Sequence, residues 1–575
     1  MLEWDLSVLF KDEEALQTHT EKCKKDSLLF KQKFENQLCR LNADNFLNAL
    51  KKFEQINLAL NKILSYAYLI FAKDTSYGRI YAKYEEECKK IEENLLFFEL
   101  EFCALDEDKA LEFKNFCKEY GLFLENWLKR KTHQLSKAEE RVMLYLSNTG
   151  SHAFARLFDE NMSALKIPFE GKKLSEEEIL SKLYDSDRKI RKKAAKNFTK
   201  VLEKNSNLLT FILNMIKTER KNICFLRNYE NAEAPRHLSN QISQKSVDAL
   251  INTTQKHFDL VEKFYKRKKQ ILGFNKLKDY DRYAPIGKEK KFSFEQSKDI
   301  ILKSFKAFSP EFEKIAKEAF KKGWIDVYPK DKKQGGAFSH PATPDTHPFI
   351  LLNFTEQRRD LFTLAHELGH TIHQKLSYQV SFLNQDTPLT TAEMASVFAE
   401  MLVFDYIKTK LEKDELIALY AAKIEDIFAT LYRQINFTCF ERRIHAHKDE
   451  LSKEQINQIW IEESQKMFKD SICLSKNYSL WWSYIPHFIH SPFYCYAYGF
   501  AQLLVLALYG LYKSKKCENF KELYIKMLSL GGSVSPKELI AMFGFDYEDK
   551  DFWEIGIKEI AKLVDEFVHK EGKNA

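Results

Sequence analysis

Glycine and proline are scarce: 17 Gly and 12 Pro stand in 575 residues. Collagen-like, linker-rich and turn-dense all-β architectures need more of both, so the shortage favours long helices. Cysteine is sparse as well, at 10, and no two form a CxxC pair. That excludes a disulfide-built scaffold and the paired spacing of zinc fingers. Neither sign of charge dominates: 90 Lys and Arg face 83 Asp and Glu, a formal charge of +7. The basic runs, Lys266-Arg267-Lys268-Lys269 and Lys330 with Lys332 and Lys333, are short. They read as solvated surface, and no nucleic-acid partner is expected. The start, MLEWDLSVLFKDEEAL, lacks a charged segment followed by an apolar core, so no signal peptide is expected. Long apolar runs are missing too: 500–509 covers about half of the roughly 20 residues that span a bilayer. These absences predict a soluble, cytoplasmic chain with no membrane partner.

What is present is core-forming material. The chain is 44% hydrophobic and 30% charged, with 46 Phe, 26 Tyr and 7 Trp. Burial is ample for an ordered protein, and the length exceeds one ordinary domain. From about 12 to 220, apolar residues recur every three to four positions, which predicts a succession of helices. Breaks are expected at Asn148-Thr149-Gly150, Pro168 and Gly171. This reading divides the chain into an N-terminal helical lobe, 1–220, and a catalytic part, 221–575. Inside the second part, extended pieces at 323–329, 335–338 and 350–354 predict a small sheet near 320–355. From about 357 the pattern is helical again.

The sharpest signal is LFTLAHELGHTIHQ, which contains His366-Glu367-Leu368-Gly369-His370. On a helix, positions four apart lie about 40° apart around the axis and one turn along it, so both imidazoles can reach one ion. Glu367 is about 100° from His366, beside the metal, where the general base for a metal-activated water belongs. The competing reading is a plain helix-face histidine pair. His373 is about 10.5 Å along the axis from His366, too far to share a tetrahedral ion with it. A polar helix residue or an outer role is left for it. A catalytic zinc takes a third protein ligand and keeps a position open. Downstream, Glu393 competes for that place with Asp386 and Glu400. Thr390 and Glu393 also have capping-box spacing, which would occupy the carboxylate elsewhere.

Near the other end stand His487, His490, Tyr494, Tyr496 and Tyr498. The three tyrosines alternate as on one face of a strand, or they open a helix running through FAQLLVLALYGLY. A tyrosine hydroxyl or an imidazole N–H aimed at a carbonyl oxygen would stabilise an oxyanion. An aromatic core with its hydroxyls satisfied is the competing reading. Gly335-Gly336-Ala337-Phe338 is a small-residue strand whose edge can bond an extended peptide, or a tight turn that packs on a sheet.

Taken in order, Trp4-Asp-Leu-Ser7, Arg282-Tyr-Ala-Pro285, Trp324-Ile-Asp-Val-Tyr-Pro329, Gly336-Ala-Phe338, Thr363-Leu-Ala-His-Glu-Leu-Gly-His370, Thr391-Ala-Glu-Met-Ala-Ser396, His487-Phe488 and Pro492-Phe-Tyr-Cys-Tyr-Ala-Tyr498 make a specific pattern. The chain resembles the M3 family of zinc metallopeptidases, in its oligoendopeptidase F branch, nearly end to end. Around the last tyrosine it departs from the family pattern, with Ala497-Tyr498-Gly499-Phe500, and keeps the tyrosine. The resemblance implies a predominantly α-helical, two-lobed zincin-type fold with a small β-sheet beside the zinc helix and a deep central channel. It implies one Zn2+ per chain on His366, His370 and Glu393, with Glu367 as base and then proton donor. It places His487 and Tyr498 on the substrate or oxyanion, with Tyr496 or Tyr494 as a neighbour. Gly336, Ala337 and Phe338 are expected along the peptide. The function implied is zinc-dependent endopeptidase cleavage of internal bonds in short unstructured oligopeptides. The alternatives are a dipeptidyl-carboxypeptidase-like enzyme, which needs a cation for the terminal carboxylate, and a zinc-containing peptide-binding protein, which has no need of Glu367. The sequence assigns no such cation and sets no oligomeric state.

Overall fold

A computed structural model describes residues 2–147 and 149–569. They are mostly α-helix, with a two-stranded and a three-stranded sheet. Asn148, in the first predicted break, lies outside the described residues; Thr149 and Gly150 form the turn before the helix Ser151–Ser163. The breaks at Pro168 and Gly171 belong to a hairpin of Ile167–Phe169 and Lys172–Leu174. Its two-residue turn has positive φ at Glu170 (50°) and Gly171 (79°), the combination that suits a tight hairpin.

The chain forms two compact units, each assembled from three stretches. One comprises 1–131, 290–410 and 516–544, the other 132–289, 411–515 and 545–575. The expected division into consecutive segments 1–220 and 221–575 differs from this, because the helix Arg188–Leu226 runs through residue 220 without a break.

In the first unit, the helices Glu13–Phe34 and Ala43–Lys73 start where Asp12 and Asn42 cap free backbone N–H groups. With Gly78–Ala104 they enclose an aromatic core in which Phe46 stacks on Phe113 at 4.2 Å. Trp4 ties this core to the sheet: its indole N–H donates to the carbonyls of Trp324 (3.0 Å) and Ile350 (2.8 Å). The three-stranded sheet falls within the expected interval. Phe349–Leu351 is its central strand, parallel to Ile325–Asp326 and antiparallel to Phe338–His340, with Ser339 opposite Ile350. Phe338–His340 is therefore an edge strand.

Six residues after the central strand the chain enters the helix Arg358–Ser377, and the Asp360 carboxylate fixes the entry by accepting the N–H groups of Thr355 (2.6 Å) and Gln357 (3.1 Å). Leu361, Leu364, Ala365, Leu368 and Ile372 lie fully buried on this helix. Each such leucine contributes about 1.5–3 kcal/mol through its burial, which anchors the helix.

In the second unit, Arg191 and Arg188 converge on Asp281, whose side chain is fully buried. The helix Cys495–Ser514 settles the reading of the three tyrosines in favour of a helix. It is long and apolar enough to cross a membrane by length and composition, yet 89% of its apolar window is buried within the protein. Gly556 of the helix Lys550–His569 packs against it; a Cβ there would lie 2.7 Å from the Leu503 carbonyl oxygen.

Glu441, 2% exposed, accepts the Phe493 N–H at 2.8 Å and so holds the segment between His487 and Tyr498. Burial pushes its carboxyl up to about 8, against the Phe493 N–H and with Glu233 adding to the rise. The folded chain keeps a proton there that the unfolded chain releases near about 4.3. Stability from this group therefore falls as pH climbs between those values. Glu441→Gln is expected to raise the urea midpoint more at pH 8.5 than at pH 5. An equal change at both would show that Glu441 is not protonated in the fold.

Candidate metal centre

Three donor atoms meet in the first unit. His366 Nε2 and His370 Nε2 are 3.1 Å apart, and Glu393 Oε2 is 3.3 Å from the first and 3.4 Å from the second. Two donors each about 2.0–2.1 Å from a tetrahedral ion stand about 3.3 Å apart, so the triangle has the dimensions of a zinc face. The donor types, two imidazoles and a carboxylate, also suit that metal. Among the described residues this is the one such grouping of His, Cys, Asp and Glu.

The histidines come from one helix turn, as their spacing predicts. Glu393 comes from the junction of the short helix Leu389–Ala392 with the helix Met394–Ile407. The capping-box reading fails because Thr390 lies inside the short helix and Glu393 makes no side-chain cap bond. Gly369 brings the parts together: a Cβ there would lie 2.5 Å from the Ala395 carbonyl oxygen and 2.5 Å from Ser396 Cα. Only glycine lets the two helix backbones approach this closely. Tyr524 holds the same corner by donating its hydroxyl to the Met394 carbonyl at 2.5 Å.

The rivals for third ligand fall elsewhere. Asp386 is exposed and outside the grouping. Glu400 accepts from His366 Nδ1 at 2.7 Å, which assigns a proton to Nδ1 and turns Nε2 toward Glu393 and His370. Ser396 Oγ donates to Glu393 Oε2 at 2.5 Å and steadies that carboxylate. Spacing alone carried a signal for Glu400, since seven residues after Glu393 is nearly the same helix face. Ser396 and Gly369 carried none beyond their place in the motifs.

The charges around the centre are unbalanced. Burial disfavours an imidazolium at His366, but Glu400, Glu393 and Glu367 outweigh it and lift its titration to about 9. Burial opposes ionisation of Glu393, but His370, His366 and Ser396 hold its carboxyl down at about 2. At Glu367, 6% exposed, burial outweighs the two histidines and raises the carboxyl, aided by Glu393 and Glu400. His373 is buried and pushed down to about 4, chiefly by that burial, and is not part of the donor set.

The edge strand beside this helix is tied to it. Ser339 Oγ donates to Gln374 Oε1 (2.8 Å), and Gln374 Nε2 donates back to the Ser339 carbonyl (3.0 Å). Gly336, at φ 81°, and Gly335 have open space where a side chain would be. Asn353 Nδ2 holds the Gly336 carbonyl at 2.9 Å. The Phe338 ring packs beside Tyr68 (5.3 Å) and Trp4 (6.1 Å).

In the second unit, Tyr498 and Tyr494 share a helix face with rings 5.0 Å apart, and the Tyr498 hydroxyl is 3.5 Å from His487 Nε2. Burial, reinforced by Arg433, keeps His487 below its usual pKa and hence neutral at pH 7. Tyr496, expected on the substrate, is fully buried and points away, its hydroxyl held by His237 Nδ1 (2.9 Å) and Asn240 Nδ2 (3.0 Å). Helical geometry, with 100° per residue in place of strand alternation, is the reason.

Two imidazoles one turn apart, a carboxylate from a neighbouring helix and a glutamate beside them define an HExxH-type metal-dependent hydrolase. Residues 181–559 match the model of peptidase family M3, and residues 101–167 match that of oligopeptidase F. An oligoendopeptidase F homolog from Borreliella burgdorferi is 30% identical over 576 residues, covering 95% of this chain and 94% of that one. A solved protein from Chlamydophila abortus shares the fold with a TM-score of 0.90 at 23% identity, over 99% of this chain and 98% of its own. Oligoendopeptidase-F from Enterococcus faecium follows at 0.71 and 21%, over 96% and 99%. The chain belongs to peptidase family M3, in the oligoendopeptidase F branch, and is an enzyme of that class.

Two substitutions separate geometry from tuning. Glu400→Gln is expected to weaken zinc binding by about 10–100-fold in a chelator competition, with an unchanged circular dichroism spectrum. Gly369→Ala is expected to lose zinc affinity and thermal stability together, because the added methyl meets the backbone of the Glu393 helix; an unaltered melting curve would show that the two helices part without cost.

Proposed function

We propose that the chain is a zinc-dependent endopeptidase that hydrolyses internal bonds of short, unstructured oligopeptides. The observation that carries this is the zinc-sized triangle of His366, His370 and Glu393 with Glu367 on the same helix. Family membership sets the reaction class. His366, His370 and Glu393 would hold one zinc per chain, which would supply Lewis acidity toward a water and the scissile carbonyl.

Glu367 takes the proton of the attacking water and returns it to the departing amine nitrogen. Burial raises its carboxyl above the ordinary carboxylate value, the direction that helps it both take and return a proton. Tyr498 and neutral His487 donate hydrogen bonds to the developing oxyanion, roles that rest on the family pattern. The backbone of Gly336, Ala337 and Phe338, at the open edge of the sheet, pairs with the extended peptide. A two-lobed form around a central channel, carried by the resemblance alone, accounts for a limit on peptide length. A cytoplasmic setting is part of the same reading, and the lack of any disulfide among the described residues favours a reducing compartment.

The test is mass-spectrometric timing of cleavage of a mixed-length peptide set by zinc-loaded protein. Internal cuts are expected, lowered about 10²–10⁴-fold in Glu367→Gln that retains its zinc. Cuts at one fixed distance from the C-terminus would replace the endopeptidase reading with the dipeptidyl-carboxypeptidase one. Folded, zinc-loaded protein that cuts nothing would overturn both.

A further inference from the structure

Arg433 in the second unit lacks a counter-charge. It is partly exposed, and among the described residues the charged and titratable groups acting on it are Tyr283, Tyr484, Arg282 and Tyr478, with no carboxylate paired to it. Its hydrogen bond is from Nη1 to the Tyr283 hydroxyl at 3.3 Å, and its Nε–H is buried without an acceptor. Glu425, the acid that acts on Tyr283, is taken by Lys268. A second cation, Arg282, lies beneath, with its guanidinium 5.0 Å from the Tyr283 ring centre and 5.1 Å from that of Tyr478. Contact with the Phe437 ring, 5.0 Å away, offsets less than the loss of water around an ion. Arg282 is answered by the buried Asp279, whereas Arg433, with that second cation close by, has no acid partner and favours an anion from outside.

The backbone is arranged to put Arg433 there. The π-helical turn Phe428–Tyr432 interrupts the helical run and ends at Arg433. Such turns change the phase of a helix and recur at functional sites. Across from it, a Cβ on Gly499 would meet Ile435 at 3.1 Å and Leu431 at 3.4 Å, so glycine lets the Tyr498 helix settle against this turn. His487 feels the charge of Arg433 and stands beside Tyr498. Tyr283 in turn stacks on the exposed ring of Tyr184 at 4.8 Å. Tyr498, His487, Arg433 and Tyr283 thus follow one another along one stretch of the unit.

We propose that Arg433 and Tyr283 form a carboxylate-binding subsite for the peptide substrate. The guanidinium supplies charge and two-pronged N–H donors, and the Tyr283 hydroxyl, accepting from Arg433, donates its own proton to the carboxylate. The carboxylate is the peptide's C-terminus or an acidic side chain. This deepens the peptidase reading and rests on it for the identity of the ligand.

The test measures binding without cleavage, by calorimetry on Glu367→Gln. Peptides of one sequence are compared as free acids and C-terminal amides, beside an amidated series with Glu or Gln at each position in turn. Carboxylate forms are expected to bind about tenfold tighter than their neutral twins. Arg433→Gln brings that ratio close to one with little change for the neutral twin, Arg433→Lys restores part of it, and Tyr283→Phe reduces it. A free-acid effect assigns the terminal carboxylate; an effect of Glu at one position in the amides assigns a side chain. Equal weakening of charged and neutral twins by Arg433→Gln, or no carboxylate preference in either series, would overturn the proposal. Should Arg433→Gln misfold, the ratio in Arg433→Lys and Tyr283→Phe decides. Arg433-dependent carboxylate binding by a wild type that cuts nothing would leave this subsite standing and remove the peptidase reading.

Discussion

The metal centre depends on one contact between two backbones. At Gly369 the helix bearing both histidines comes within 2.5 Å, measured from an added Cβ, of the Ala395 carbonyl oxygen on the helix bearing Glu393. A carboxylate side chain reaches only a few ångströms, so a wider separation would take Glu393 Oε2 out of the triangle. The leucines around Gly369 anchor one helix in the core, and Tyr524 fixes the start of the other. Donor geometry is therefore a consequence of core packing, and the hydrogen bonds that Glu400 accepts and Ser396 donates only refine it.

Local chemistry in the sequence was readable, and tertiary chemistry was not. The His366–His370 pair and Glu367 follow from helix periodicity, and the small sheet follows from apolar strands bounded by turn residues. Glu393 could not be separated from Glu400 by spacing, because the choice turns on which carboxylate crosses between helices. The tyrosines at 494, 496 and 498 fit a period of two as well as the opening of a helix. The segment after them is apolar on every side, and a helix buried all round has no polar face to announce its period. The division of the chain was hidden for another reason. Each unit is built from three separated stretches, and composition read in order cannot reveal that.

Both units hold polar groups at positions that a purely stabilising core would fill with carbon. In the second unit these are Arg433, Tyr283, His487 and Tyr498, partly exposed, with Arg433 bonded to Tyr283 and Tyr498 close to His487. Partial burial, and after it the positive charge of Arg433, both hold His487 below its ordinary value. The same arginine thus serves two ends, holding an imidazole in its donor–acceptor form and presenting charge to an anion.

In the first unit the imbalance has the opposite sign. Glu367, Glu393 and Glu400 crowd two imidazoles in a half-buried place, and the shifts at His366 and Glu393 show how strongly the carboxylates seek a positive partner. Those attractions steady the cluster, but at Glu367 burial first, and then Glu393 and Glu400, raise the carboxyl, a cost that a cation would relieve. A divalent ion on the three donors answers it directly, and an ion that binds the folded chain in preference to the unfolded one stabilises it in proportion to its affinity. The strain of clustered carboxylates and the capture of the metal are then the same free energy seen from two sides, and the contact at Gly369 is what keeps the cluster from relieving itself by moving apart.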